Sequence, residues 1–419
     1  VYRPDADELA TLSRQLTSHG SSPEFATGQD LLARADARPA ETERWLEHFA
    51  WKIRHAWLTA AANKTAASFR SPRARDVPLT PRGKEHDFGY ERELCPEELE
   101  QRCHRFFEPA PAGTFCEHVL FSSGQAAMLA CLLADGTADE IVHLGGYFET
   151  PELARLARPA PAPGAQRTRT VIAEPVWFDG QRWGRTDIAA ICAQQPAKVI
   201  VDATLSGLHY EIGALVSALP SARIMRLHSA LKLFQSGLEL ADAGIVTVFD
   251  RTADGAQRAA DALRHIRALC GLGLRFAEIA ALELPAFLDR QMTWDYEQAI
   301  FTHNARLARV VAKNNRLFHT EIHPVLGEGG ADAPYCTLRL ATDSDAAYER
   351  LEQRIQDAVA EQDILLECGG SFGFRGHRYE IVRPAAARPF LRVAMGRRAG
   401  RSLEKSIALF ESLAGQPAL

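Results

Sequence analysis

No stretch of this 419-residue sequence approaches the ~20 uninterrupted apolar residues of a membrane-spanning helix, so no membrane partner is expected. A strong charge of one sign is also missing. The 48 basic residues stand against 53 acidic ones, and a net charge of −5 argues against nucleic acid as the main partner. No Cys-x-x-Cys pair occurs among the eight cysteines, at 95, 103, 116, 131, 192, 270, 336 and 368, and none has zinc-site spacing. They read as reduced, mostly buried thiols of a cytoplasmic protein with no metal. The opening VYRPDADELATL carries acidic residues where a secretory signal would have its apolar run. Walker loops, dinucleotide-binding GxGxxG turns and internal repeats are missing as well.

What is present is a globular composition, 46% hydrophobic and 24% charged, over a length that predicts two domains around one dominant core. Residues 1–85 read as an N-terminal helical extension. Within it Trp45, Phe49, Ile53 and Trp57 recur at helical spacing and predict a packing helix, followed by a proline-rich, charged, extended crossing segment. From about residue 116 short apolar strands alternate with helices: HVLFSS, EIVHLGG, RTVIAEPVW, KVIVDAT, ARIMRLHS and AGIVTVFD. That alternation predicts an α/β domain over 86–300, with a mostly parallel sheet covered on both faces. The PAPAPGAQ stretch reads as a surface loop, and 301–419 as a smaller α+β domain.

In such a sheet ligands gather at the carboxyl ends of the strands. HVLFSS runs into Ser123, Gly124 and Gln125 at the start of a helix, where free backbone N–H groups and the positive dipole end suit a phosphate. KVIVDAT ends in Asp202 and Thr204. An acid closing an apolar strand is costly unless a cation meets it, and a protonated pyridine nitrogen is such a cation. The next strand delivers Ser229 and Lys232 in an apolar stretch, which favours the neutral amine and imine chemistry.

With these residues in this order, the chain resembles the cystathionine synthase and lyase (Cys/Met metabolism) branch of fold-type I pyridoxal 5'-phosphate enzymes, over about residues 86–419. The matching motifs are SSGQAA at 122–127, Asp202-Ala203-Thr204, Ser229-Ala230-Leu231-Lys232, Tyr90-Glu91-Arg92 and LRVAMG with Arg392. The resemblance implies Lys232 as the amine that holds the cofactor in a Schiff base and then shuttles the proton. It implies Asp202 at the pyridine nitrogen, and Gly124, Gln125 and Ser229 around the phosphate. Tyr90 and Arg92 would reach the neighbouring subunit's phosphate, in a homodimer or homotetramer with shared sites. Arg392 would take the carboxylate of a small amino acid substrate, and Tyr147 or Phe148 would stack on the cofactor. The chain departs from the pattern at Leu231, where a threonine is usual, at Leu144, where the stacking tyrosine usually stands, and in its N-terminal extension.

Other motifs are weaker. Gly369-Gly370-Ser371-Phe372-Gly373 fits the GxSxG of serine hydrolases, but no histidine follows His377. A turn near the substrate carboxylate, with Ser371 as a substrate-side residue, is the better reading. His377-x-x-Glu380 reads as a surface pair, and Arg397, Arg398 and Arg401 as a solvated basic face. His228 either tunes the site or is a packed, hydrogen-bonded histidine. The expected activity is β/γ-elimination or replacement on an amino acid. The alternatives are an aminotransferase on the same fold and a cofactor-free regulatory protein built on it.

Overall fold

The computed structural model describes residues 1–17, 26–71, 78–80, 82–86, 88–134, 140–157, 169–319, 321–327, 330–342, 344–384 and 388–416. The proposed PAPAPGAQ loop lies outside them. Twelve described strands run in chain order: β1 Phe115–Phe121, β2 Glu140–Leu144, β3 Arg169–Ala173, β4 Val176–Phe178, β5 Trp183–Arg185, β6 Lys198–Asp202, β7 Arg223–Ser229, β8 Gly244–Asp250, β9 Cys336–Leu338, β10 Leu366–Cys368, β11 His377–Val382 and β12 Phe390–Ala394.

Six strands form the main sheet in the order β1-β8-β7-β6-β3-β2. The β2–β3, β3–β6 and β6–β7 pairs are parallel, whereas β8 runs against both of its neighbours. The link from β7 to β8 contains only the single-turn helix Ala230–Leu233. It cannot carry the chain back to the far edge of the sheet, so β8 returns antiparallel. The carboxyl ends of β1, β2, β3, β6 and β7 therefore share one edge. Val171, Ile172, Val199, Ile200 and Val201 are fully buried, as strands covered on both faces require. One face packs on helices Gly124–Leu133 and Ala253–Cys270 through Ala126, Ala130 and Leu263; the other packs on Ile191 and Leu215.

A second sheet, β10-β11-β12-β9, is mostly antiparallel and forms the smaller α+β unit with helices Asp345–Gln362 and Arg401–Ala414. Helix Arg290–Lys313 joins the two units. Its Tyr296, Ile300 and Phe301 enter the large core, and its Leu307, Ala308 and Val311 the smaller one. The boundary expected at 300 falls inside this continuous helix.

The N-terminal helices Arg3–Thr17 and Pro39–Thr65 share the large core. Phe49, Ile53 and Trp57 are buried as the apolar stripe predicts, and Trp57 Nε1 donates to the Ala281 carbonyl at 2.6 Å. The first helix also presents Asp5 and Glu8 to three arginines. Arg375 pairs with Glu8 at 2.6 Å and with Asp5, Arg397 with Glu8 at 3.2 Å, and Arg398 with Asp5 at 3.5 Å. Arg398 is only 2% exposed, so at Arg397 and Arg398 the expected solvated face is instead an ion-pair network, whereas the half-buried Arg401 donates to the Asp363 and Gln362 carbonyls. The physical reason is that a helix nearly 400 positions away in sequence supplies the compensating charges.

Cys103, Cys131 and Cys336 are buried as expected, whereas Cys270 and Cys368 are exposed. His104, Cys116 and His118 bring their ligating atoms within 4.8 Å of one another. The two imidazoles meet edge to face, with centroids 4.5 Å apart, which is a packing contact. No helix of the described residues is long and apolar enough to cross a membrane.

Candidate active site

Lys232 follows the end of β7 on the short helix Ala230–Leu233. Burial and the nearby Arg392 cation push its ammonium below the ordinary lysine range. Its Nζ donates to Ser371 Oγ at 2.6 Å. Ser371 lies in the turn of residues 369–373, and Gly373 of that turn, at φ +84°, packs on the Lys232 backbone. A Cβ on Gly373 would stand 1.8 Å from the Lys232 carbonyl oxygen, so only glycine fits. Tyr296 OH donates to the Gly373 carbonyl at 3.0 Å and fixes the turn from the other side. Strand β11 follows the turn, rather than the helix that a serine-hydrolase elbow needs.

Asp202 closes β6, one strand away. Its carboxylate accepts the Thr204 N–H at 3.0 Å and is bonded by the Thr204 side chain as well, and Thr204 Oγ1 accepts the Ser229 N–H at 2.9 Å. The Asp-x-Thr turn thus ties two strand ends together. Burial, and next the negative charge of Glu174, push the Asp202 carboxyl up to about 6. Glu174 follows β3 and joins the site from outside the motifs, its one signal in the sequence being that RTVIAE ends on an acid just as KVIVD does. Its carboxylate is bonded to His143 Nε2 at 2.7 Å and accepts the Gly146 and Tyr147 N–H groups at 3.1 Å.

Ser123 caps helix Gly124–Leu133 by accepting the Ala126 N–H at 3.0 Å. A Cβ on Gly124 would approach Ser229 Cβ to 3.0 Å, which draws the ends of β1 and β7 close together. The Gln125 side chain donates to Tyr147 OH at 3.3 Å, and Tyr147 OH donates to Glu149 at 2.6 Å. Of the two candidate rings, Tyr147 lies within electrostatic reach of Asp202 and Arg392, whereas Phe148 is more exposed, 54% against 40%.

On the small unit, Arg392 of β12 stands directly opposite Glu380 of β11 and forms an ion pair with it. His377 is 2% exposed and its Nδ1 accepts the Gly396 N–H at 3.1 Å. The expected His377/Glu380 surface pair is therefore corrected: residues three apart on a strand point to opposite faces. His228 is packed between Phe107 and Phe234, and neither ring nitrogen has a hydrogen-bond partner among the described residues. Tyr90 and Arg92 do not join the cluster. They stand exposed on the 3₁₀ turn Glu91–Glu93, with the Arg92 guanidinium 5.6 Å from the Tyr90 ring centroid. A cavity of about 350 Å³ opens at the opposite, amino end of the strands, beside Arg169, Lys198 and Arg223, away from this cluster.

No family model and no curated protein matches the chain. Solved structures do. The cystathione gamma lyase CalE6 from Micromonospora echinospora superposes with a TM-score of 0.55 at 17% identity, over 85% of this chain and 99% of that one. MetB from Corynebacterium glutamicum gives 0.56 at 16%, over 85% and 96%. The cystathionine gamma-lyase from yeast gives 0.55 at 14%, over 86% and 98%. At these identities the likeness establishes the fold, which is the fold-type I architecture that the motifs imply.

Proposed function

We propose that this chain is a pyridoxal 5'-phosphate-dependent enzyme that catalyses elimination or replacement at Cβ or Cγ of an amino acid. One observation carries the reading. Lys232 and Asp202 stand at the carboxyl ends of the neighbouring strands β7 and β6, tied through Thr204 and Ser229, and burial disfavours the charged form of each. Asp202 is a half-buried carboxylate with the buried carboxylate of Glu174 near it, so the site is in want of a cation, and a pyridinium nitrogen fits that need. The close approach of Gly124 to Ser229 at a helix N-terminus suits a phosphate in the same way.

In this reading the backbone N–H groups of Gly124 and Gln125, together with Ser123 and Ser229, hold the phosphate. Tyr147 would lie against the ring face, and Thr204 holds Asp202 and Ser229 in register. When bound, the cofactor supplies an electron-withdrawing ring that accepts the electron pair freed at Cα. Asp202 keeps the ring nitrogen protonated. Lys232, as a neutral amine, would hold the cofactor, and its Nζ would take and return the Cα proton. Ser371 Oγ orients Nζ for both tasks. Arg392 is the cation that receives the carboxyl end of the substrate. Tyr90 and Arg92 serve the phosphate of a second copy, so the active form is a homodimer or a tetramer built from it.

The test is product analysis with a panel of β- and γ-substituted amino acids, free and as their amides. Ammonia with a 2-oxo product is expected. Stoichiometric pyridoxamine phosphate would replace this reading with an aminotransferase. No absorbance band near the visible edge upon cofactor addition would end both.

A further inference from the structure

The guanidinium assigned to the substrate's carboxyl end already has a carboxylate on it. Glu380 and Arg392 are direct cross-strand partners, their side chains are 23% and 21% exposed, and they form an ion pair. Glu380 is held in place by further contacts. It accepts the Ser371 N–H at 3.2 Å, and a Cβ on Gly370 would stand 3.1 Å from its second oxygen, so glycine there keeps room for the carboxylate. Ser371 is also the residue whose hydroxyl accepts Lys232 Nζ. The pair therefore sits one residue from the reacting amine. On its other side Arg392 Cζ faces the Tyr335 ring at 5.5 Å, and its buried Nε has no hydrogen-bond acceptor among the described residues.

These facts constrain what a substrate can offer. A buried donor without an acceptor is costly, so Nε is best satisfied by a ligand oxygen. A carboxylate brought to Nε would share one guanidinium with Glu380, and two like charges in a low-dielectric site repel. A neutral carbonyl oxygen satisfies the same donor without that repulsion. We infer that this site takes an amino acid whose carboxyl group is masked as an amide, ester or thioester, with Glu380 the specificity residue that disfavours a free α-carboxylate. The inference rests on the reading of Lys232 as the cofactor amine. It replaces the free α-carboxylate expected at Arg392 with a neutral carbonyl.

The test uses cofactor-loaded protein titrated with alanine and alaninamide, read by the cofactor absorbance change and by calorimetry. Wild type is expected to bind alaninamide about tenfold or more tightly than alanine. Glu380→Gln is expected to raise alanine affinity by about tenfold or more and to leave alaninamide within about threefold. The differing amine basicity of the two probes cancels in the ratio between wild type and variant. A wild type that prefers alanine, or a variant that leaves the ratio unchanged, overturns the inference while the cofactor band persists. Should Glu380→Gln fail to fold, the same wild-type-to-variant ratio read on Glu380→Ala decides. Absence of the band itself sinks the underlying reading, and this inference with it.

Discussion

Two clusters of charge meet the segment of residues 369–375, one buried and one half-buried, and they are built on opposite principles. At the N-terminal helix, Asp5 and Glu8 meet Arg375, Arg397 and Arg398, so each buried charge has a partner. At the strand edge, Asp202 feels the negative charge of Glu174, whose own partner is His143, and Lys232 feels the cation of Arg392, whose own partner is Glu380, so neither Asp202 nor Lys232 has an ion-pair partner among the described residues. The first arrangement serves the fold, and its pairs offset their own desolvation. The second leaves a deficit that a ligand of the right charge would fill. The two meet in sequence, because Arg375 lies two residues beyond the Gly373 that packs on Lys232.

That contrast can be broken from either side. The largest effect is expected of Lys232→Ala, which should remove the cofactor band and lower turnover by about 10³-fold or more while the cofactor-free protein still folds. Circular dichroism beside absorbance checks both halves. Arg375→Ala should cost about 1.5–3 kcal/mol in urea unfolding, because it removes the cation shared by Asp5 and Glu8 and leaves them only the longer pairs to Arg398 and Arg397. A loss under about 1 kcal/mol would mean that the clamp is not structural. Asp202→Asn should do the reverse to the cofactor-free protein. The folded carboxyl lies at about 6, above its ordinary 3.8. Between those values the folded chain holds a proton that the unfolded chain has released. Stability from this group is therefore present below 3.8 and is lost as pH rises through about 6. The variant should gain about 1–3 kcal/mol at pH 8, little at pH 4, and lose cofactor affinity. The smallest change is expected of Gly124→Ala, whose added methyl crowds Ser229 and should weaken cofactor binding by about tenfold.

Much of the strand edge was legible because each part announces itself locally. An acid or an amine ending an apolar strand is anomalous wherever the strand lies in the sheet, and Asp202 and Lys232 stand out on that ground. Glu174 carries the same signal at the end of β3 but belongs to none of the motifs that carry the resemblance. The rest depends on distant pairing. Nothing near Arg398 in sequence indicates that Asp5 will cover it, so it reads as a surface cation. Glu380 was read with His377 at a spacing of three, whereas strand geometry turns the two apart and sets Glu380 against Arg392. Gly373 shows its purpose only when the Lys232 carbonyl is seen against it.

The central claim is that the Lys232 amine carries the cofactor. Borohydride reduction of the cofactor-treated protein, followed by peptide mass spectrometry, tests it most directly. A pyridoxyl adduct confined to the peptide containing Lys232, and absent from Asp202→Asn at matched low cofactor, is the expected result. An adduct spread over surface lysines, or none at all, would contradict the account.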